Sequence, residues 1–149
     1  MSAHWIQRKL ELATKSYLTT EVPTAPTIRT TEDADTSFEA QNTYVLCPRA
    51  EGLIGIPGNQ ECVLTIELRT MLLLYGTRAT AVSAHYAMFG LIGDAMMQDD
   101  LATSLAANGT ELGINGIHDA ADYAHFNRDG VLISSITRRI STAPSTLTA

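Results

Sequence analysis

Residues 62 to 70, CVLTIELRT, decide the fold class because their side chains alternate between apolar and mostly polar. An extended chain directs successive side chains to opposite faces, so this alternation predicts a strand with one buried face and one solvated face. Such one-sided strands are typical of antiparallel sheets. The apolar set is Cys62, Leu64, Ile66 and Leu68, and the other set is Val63, Thr65, Glu67 and Arg69.

The segments on either side of this strand predict the rest of the sheet. Upstream, TYVLCPR (residues 43–49) is a β-rich run, and the glycine-rich EGLIGIPGNQ (51–60) is typical of a hairpin connection. Downstream, two strand-like runs, 111–126 and 131–141, flank NRDG (127–130), whose Asp-Gly pair is a strong hairpin signal. The sequence therefore predicts two antiparallel hairpins.

Helical periodicity appears in three other segments. A first amphipathic helix is indicated near the N-terminus, and DDLATSLAANG (99–109) predicts a short helix with acidic N-cap candidates and an Asn-Gly stop. Between about residues 77 and 98, apolar side chains cover most of a helix circumference. A helix so widely apolar needs cover on more than one side, which predicts a subunit interface as well as core packing. The narrow small or polar stripe consists of Ser83, Ala87, Gly90, Asp94 and Gln98.

Together these segments predict one α+β domain over residues 1–149. We expect a two-layer sandwich, with a mainly antiparallel four-stranded sheet built from two hairpins and helices packed on one face. A Pro- and Thr-rich arm (22–42) has short possibilities for extended structure at Ile28 and Phe38, and a polar tail occupies 142–149.

Composition excludes several classes of protein. The formal net charge is −6 and the ten basic residues are scattered, which argues against a nucleic-acid binder. Two cysteines are too few for a disulfide framework or a four-thiolate zinc site. The N-terminus lacks the apolar stretch of a signal peptide, and the longest apolar segment (81–97) is too short and too polar to span a bilayer. We expect a cytoplasmic site of synthesis.

The cluster HDAADYAH (118–125) is the one place where metal binding or acid-base chemistry suggests itself. On a strand, however, His118 and Asp122 point to one face while Asp119 and His125 point to the other. Zinc and iron sites need three or four converging ligands, and the remaining histidines have no companion His or Cys at ligand spacing. We therefore expect no metal, no cofactor and no catalytic residues.

The order of segments resembles that of the tail terminator and tail-completion proteins of long-tailed bacteriophages. The resemblance covers roughly residues 4–141 and rests on a helix near WIQRKLELATKSYLTTEVP, a strand closing on YVLCPRAEG, the strand CVLTIELRT, a long helix through HYAMFGLIGDAMMQDDLATSLAANG, and a closing hairpin. It implies a small subunit that forms a hexameric ring, caps the finished tail tube and presents a surface to the head connector. The arm at 22–37 has no counterpart in the family pattern.

The resemblance thus implies a non-enzymatic virion protein of the tail or neck, made in the cytoplasm of the bacterial host. Its partners would be copies of itself, the tail tube protein and a head-tail connector or neck protein, without a membrane or sequence-specific nucleic acid. Two alternatives remain, a soluble cytoplasmic homodimer that binds a small molecule or peptide, and a small hydrolase using the 118–125 cluster. The candidate interface residues are Ile28, Phe38, Glu67, Arg69, Arg138, Arg139 and Leu147.

Overall fold

The computed structural model describes residues 3–30, 43–53, 60–72 and 78–143. Three α-helices and five strands make up this part of the chain, and a single 3₁₀ turn at Thr110–Leu112 follows the third helix. No helix among these residues combines the length and apolarity needed to cross a bilayer. The helices are α1 (Ala3–Glu21), α2 (Arg78–Met96) and α3 (Leu101–Asn108), and the strands are β1 (Ile28–Arg29), β2 (Thr43–Leu53), β3 (Gln60–Met71), β4 (Ile114–Arg128) and β5 (Val131–Thr142).

The strands form one sheet in the order β1-β2-β3-β5-β4. The hairpins β2-β3 and β4-β5 are antiparallel, and they are joined by an antiparallel ladder between β3 and β5 that runs from Gln60 opposite Thr142 to Met71 opposite Val131. The predicted α+β fold with four antiparallel strands is therefore confirmed. The sequence did not predict that β1 would add a short parallel strand beside β2.

The core lies between the helices and one face of the sheet. The apolar set of β3 is completely buried and packs with apolar side chains from all three helices, whereas the alternate set of β3 is only partly buried on the opposite face. The alternation in CVLTIELRT therefore predicted correctly which face of β3 is buried and which is partly exposed. The buried residues from the helices and β5 include Ile6, Leu10, Leu18, Ile92, Met96, Leu105, Ile136 and Ile140.

The turn between β4 and β5 has the geometry that its Asp-Gly pair predicts. Asp129 and Gly130 have φ angles of 53° and 79°, and both positive values are characteristic of the type I′ turn. Arg128 lies opposite Val131 directly across this turn, which fixes the register of the hairpin.

An irregularity in β4 interrupts the ladder with β5 between Ile117 and Ala121. Arg138 of β5 fills this region, because its guanidinium donates hydrogen bonds of 2.6 Å to the carbonyls of His118 and Met96. It thereby ties the irregular part of β4 to the last turn of α2. Arg138 is only 6% exposed, so the expectation that it lies on an interface surface is wrong.

The described part of the Pro- and Thr-rich arm folds on its own chain. Val22, Ile28 and Thr30 are buried, and Ile28 pairs with Val45 in the sheet. Ile28, one of the candidate interface residues, is therefore buried within its own domain and is not at the surface. Phe38 lies outside the described residues.

The predicted polar tail also begins later than expected. Thr142 is the last residue of β5 and is buried, and the amide of Ala143 donates to the carbonyl of Gly113 at 2.8 Å. The structure therefore assigns Thr142 to the domain, and Leu147 falls outside the described residues.

Candidate assembly surface

Helix α2 covers the sheet with only half of its circumference. His85, Phe89, Ile92 and Met96 face the sheet and are buried, but the opposite half is exposed. We call this exposed half the open face of α2. It consists of Ala79, Thr80, Ser83, Ala84, Tyr86, Ala87, Gly90, Leu91 and Asp94.

The open face of α2 is largely apolar and small. Leu91 is 49% exposed and Tyr86 is 45% exposed, and Asp94 is the single charged residue on this face. A Cβ atom added at Gly90 would meet no atom within 4 Å, so the surface there is open. Small side chains let the backbone of another element approach closely, and contact would remove Leu91 and Tyr86 from water. The predicted stripe at 83, 87, 90 and 94 lies in the middle of this face.

Aromatic side chains continue this surface from α2 to β4. The ring of Phe89 lies at right angles to that of Tyr123, with centroids 6.3 Å apart, and similarly to that of His125 at 5.3 Å. Tyr86 lies 5.6 Å from His125. Tyr123 is nevertheless 51% exposed, so the chain covers this aromatic group only in part.

A chain of hydrogen bonds runs beneath α2 from β3 to β4. Thr70 Oγ1 lies 2.8 Å from His85 Nδ1, His85 Nε2 lies 2.8 Å from Ser134 Oγ, and Ser134 Oγ lies 2.8 Å from His125 Nδ1. Thr70, His85 and Ser134 are buried, whereas His125 is exposed. This network therefore links the core to the surface.

Burial and, to a smaller extent, the nearby His125 together lower the pKa of His85 to about 4. His85 is consequently neutral near pH 7 and carries one N–H, which can point to either neighbour. If it donates to Ser134, then Ser134 donates to His125 and Thr70 donates to His85. The Ser134 hydroxyl, which is completely buried, bridges the two imidazoles in this arrangement.

The structure does not bring the polar residues of HDAADYAH together. His118 Nε2 lies 3.7 Å from Glu61 Oε1, while His125 bonds to Ser134 on the helix side of the sheet. Asp122 is exposed, and the side chain of Asp119 lies outside the described part of the structure. Among the residues whose positions are described, no group of three His, Cys, Asp or Glu side chains is placed to hold a metal ion.

Two of the charged interface candidates form an ion pair within one strand. Arg69 donates from Nε and Nη2 to Glu67 Oε2 at 3.1 and 2.8 Å, and both side chains are partly exposed on the sheet face away from the helices. Arg139 is exposed, 3.5 Å from Glu61. These three residues are therefore available at the surface, in contrast to Arg138.

The contacts of His85 were not predicted from the sequence. A single histidine among apolar residues signals a buried polar contact when it shares a helix face with the core, and His85 lies one turn before Phe89. Its partners were not visible, because Thr70 and Ser134 are 15 and 49 residues away.

No protein-family model matches this chain, and no curated protein matches its sequence.

Proposed function

We propose that this protein is a non-enzymatic structural subunit of a bacteriophage virion, which assembles with copies of itself into a ring. In this proposal the ring, a hexamer in the simplest form, terminates the tail tube and contacts the head connector or neck. The observation that carries the proposal is the open face of α2, an exposed helix surface with one charged residue. The order of segments, which resembles that of tail terminator proteins, supports the same function.

The open face of α2 supports assembly because soluble monomers rarely leave a contiguous apolar surface uncovered. Burying apolar area contributes about 25 cal/mol per Å², and a specific interface typically removes about 800 Å² per partner from water. Leu91 and Tyr86 would be the largest apolar contributors from this face.

A ring also requires a second surface, because each subunit in a closed ring contacts its two neighbours through different patches. We assign this role to the sheet face that carries Glu67 and Arg69, which the helices of the same chain do not cover. The charged pair on this face would set the orientation of the neighbouring subunit more than the affinity.

The proposal is tested by replacing Leu91 with aspartate. Wild-type protein is expected to form particles with sixfold symmetry in negative-stain images and a ring-sized mass by light scattering. L91D should abolish these particles while the circular dichroism spectrum stays unchanged. L12D is the matched control, because Leu12 is an exposed leucine on another helix, α1, and this variant should still form rings.

A wild-type protein that remains a monomer or a dimer at high concentration would overturn the ring. Equal loss of assembly in L91D and L12D would also contradict the proposal, since it would mean that the effect does not belong to the open face of α2.

A further inference from the structure

Strand β4 is at one end of the sheet, and the described residues place no strand on its outer side. Between Ala121 and Arg128 its ladder with β5 is regular, and side chains on both faces are exposed. Proteins usually protect such an edge with charged side chains, especially lysine, with proline or with bulges. This stretch contains neither proline nor lysine, its two charged residues, Asp122 and Arg128, have opposite signs, and the bulge of β4 ends at Ala121. The edge is thus open to pairing.

We propose that β4 pairs with β4 of a second copy of this chain, antiparallel, about a two-fold axis at His125. The turn geometry shows which backbone groups are free for this contact. In a two-residue type I′ hairpin the closing pair, here Arg128 and Val131, exchanges both hydrogen bonds. Alternate residues from Arg128 back to Asp122 therefore direct their backbone groups toward β5.

It follows that the residues between them direct their N–H and C=O groups outward. These residues are Ala121, Tyr123, His125 and Asn127. In the proposed register His125 lies opposite its own copy, and Tyr123 lies opposite Asn127 of the other subunit. The residues of each of these pairs then exchange main-chain hydrogen bonds across the axis.

The charges select this register over its neighbours. With His125 on the axis, Asp122 lies opposite Arg128 of the other copy, and the same pair recurs on the other side of the axis. These positions are not hydrogen-bonded to each other, so their Cβ atoms would come within about 4.5–5.5 Å. Sliding one copy by two residues would place Asp122 opposite Phe126 or Gly130 instead. Within the described structure neither Asp122 nor Arg128 has an ion-pair partner.

The same register also places a large side chain opposite a small one on the sheet face away from the helices. Phe126 is 43% exposed there, and it would lie opposite Ala124 of the other copy. The guanidinium carbon of Arg128 lies 5.8 Å from the centre of the Phe126 ring, so the aromatic ring and the charged pair form one continuous contact area. A large side chain against a small one avoids a clash across the axis.

This contact does not depend on the proposed ring. A two-fold contact uses the same patch on both subunits, whereas a ring contact joins two different patches. The experiment therefore uses L91D as its parent protein, which removes the proposed ring contact and leaves β4 unchanged.

The test is a charge exchange measured by sedimentation equilibrium at low ionic strength. The parent is expected to be a dimer. D122R places arginine opposite arginine, and R128D places aspartate opposite aspartate, so each variant alone should dimerise about tenfold more weakly or worse. An equimolar mixture of the two should recover a heterodimer of the parent's affinity, as should the double variant D122R/R128D as a homodimer.

D99R and R78D are the matched controls, because they make the same changes in net charge at exposed positions outside β4 and should leave the dimer intact. Dimerisation of both single variants at the parent's affinity would overturn the proposal. Failure of the mixture to recover a dimer would overturn it as well, even if each single variant is monomeric. If the L91D parent does not dimerise, the proposed pairing of β4 is refuted. This result would leave the ring proposal standing, because ring assembly is measured separately on the wild-type protein.

Discussion

The hydroxyl oxygen of Ser134 lies 2.8 Å from Nε2 of His85, and this contact holds the one buried imidazole described beneath α2. A hydroxyl has one proton and two lone pairs, so Ser134 can serve His85 and His125 simultaneously. The buried and exposed histidines are therefore coupled through one side chain.

Acidification should destabilise the protein through His85. Burial lowers the pKa of His85 from 6.5 to about 4, so the unfolded chain binds a proton at a higher pH than the folded chain does. The contribution of neutral His85 to stability is therefore complete above pH 6.5 and is lost as the pH falls from 6.5 through 4. The loss amounts to about 3 kcal/mol, measurable by urea unfolding at a series of pH values.

The control for this prediction is His85→Gln, which retains hydrogen-bonding groups but does not titrate. Its unfolding free energy should decrease less than that of the wild type between pH 6.5 and 4, because it has no titrating group at position 85. The carboxylates contribute equally to both proteins, so the difference between them reports on His85. Parallel curves for the two proteins would contradict the assignment of a lowered pKa to His85.

Removing the Ser134 hydroxyl should cost more stability than removing that of its neighbour. Ser134→Ala leaves the buried Nε2 of His85 without its partner, and an unsatisfied buried polar group costs about 1–3 kcal/mol. Ser135 lies on the opposite, partly exposed face of β5, so Ser135→Ala should change the unfolding free energy by less than about 0.5 kcal/mol. Thermal and chemical unfolding of both variants would measure the difference, and equal effects would show that the network contributes little.

Alanine substitution of the two adjacent arginines of β5 should destabilise the protein to very different extents. Arg138→Ala removes two hydrogen bonds from the buried guanidinium to the Met96 and His118 carbonyls, and we expect a loss of about 2–4 kcal/mol. Arg139 is exposed and only 3.5 Å from a carboxylate oxygen of Glu61, so Arg139→Ala should cost less than about 0.5 kcal/mol.

A lysine at 138 tests the geometry further. It keeps the charge but has a single nitrogen, which is poorly placed to reach both carbonyls at once, so Arg138→Lys should recover only part of the lost stability. Full recovery would indicate that charge alone matters at this position.

Reversing the charge of Glu67 should weaken ring assembly more at low salt than at high salt. Glu67→Arg leaves Arg69 beside a like charge and presents two positive charges to the neighbouring subunit, and added salt screens this repulsion. Light scattering across a salt series would follow the effect, with circular dichroism to verify folding and Glu67→Gln as the uncharged comparison. Unchanged assembly of Glu67→Arg at low salt would show that this face meets only solvent.

The sequence predicted the elements whose signals are local. Alternation in CVLTIELRT identified β3 and its buried face, and the Asp-Gly pair identified the turn between β4 and β5. The helical periodicity between residues 77 and 98 identified α2, and the small or polar stripe through Ser83 and Asp94 lies on its exposed side. In each case the deciding residues are neighbours in the chain, so their pattern alone determines the local structure.

The features that the sequence did not predict depend on partners distant in the chain. The two residues of β1 form a strand only because β2 is beside them, and nothing in a Pro- and Thr-rich segment signals parallel pairing. The bulge in β4 and the burial of Arg138 depend on each other. The histidine network likewise joins three strands and a helix, and it became apparent only when the sheet order was known.

The sheet order has a kinetic consequence for this chain. Each hairpin closes through a short connection, whereas the ladder of β3 with β5 joins residues on either side of α2 and α3, and closing such a long loop costs more entropy. Formation of that central ladder should therefore limit the folding rate, with both hairpins able to form earlier. Until it forms, the edges of β3 and β5 are unpaired, so newly made subunits at high concentration would be exposed to premature strand exchange.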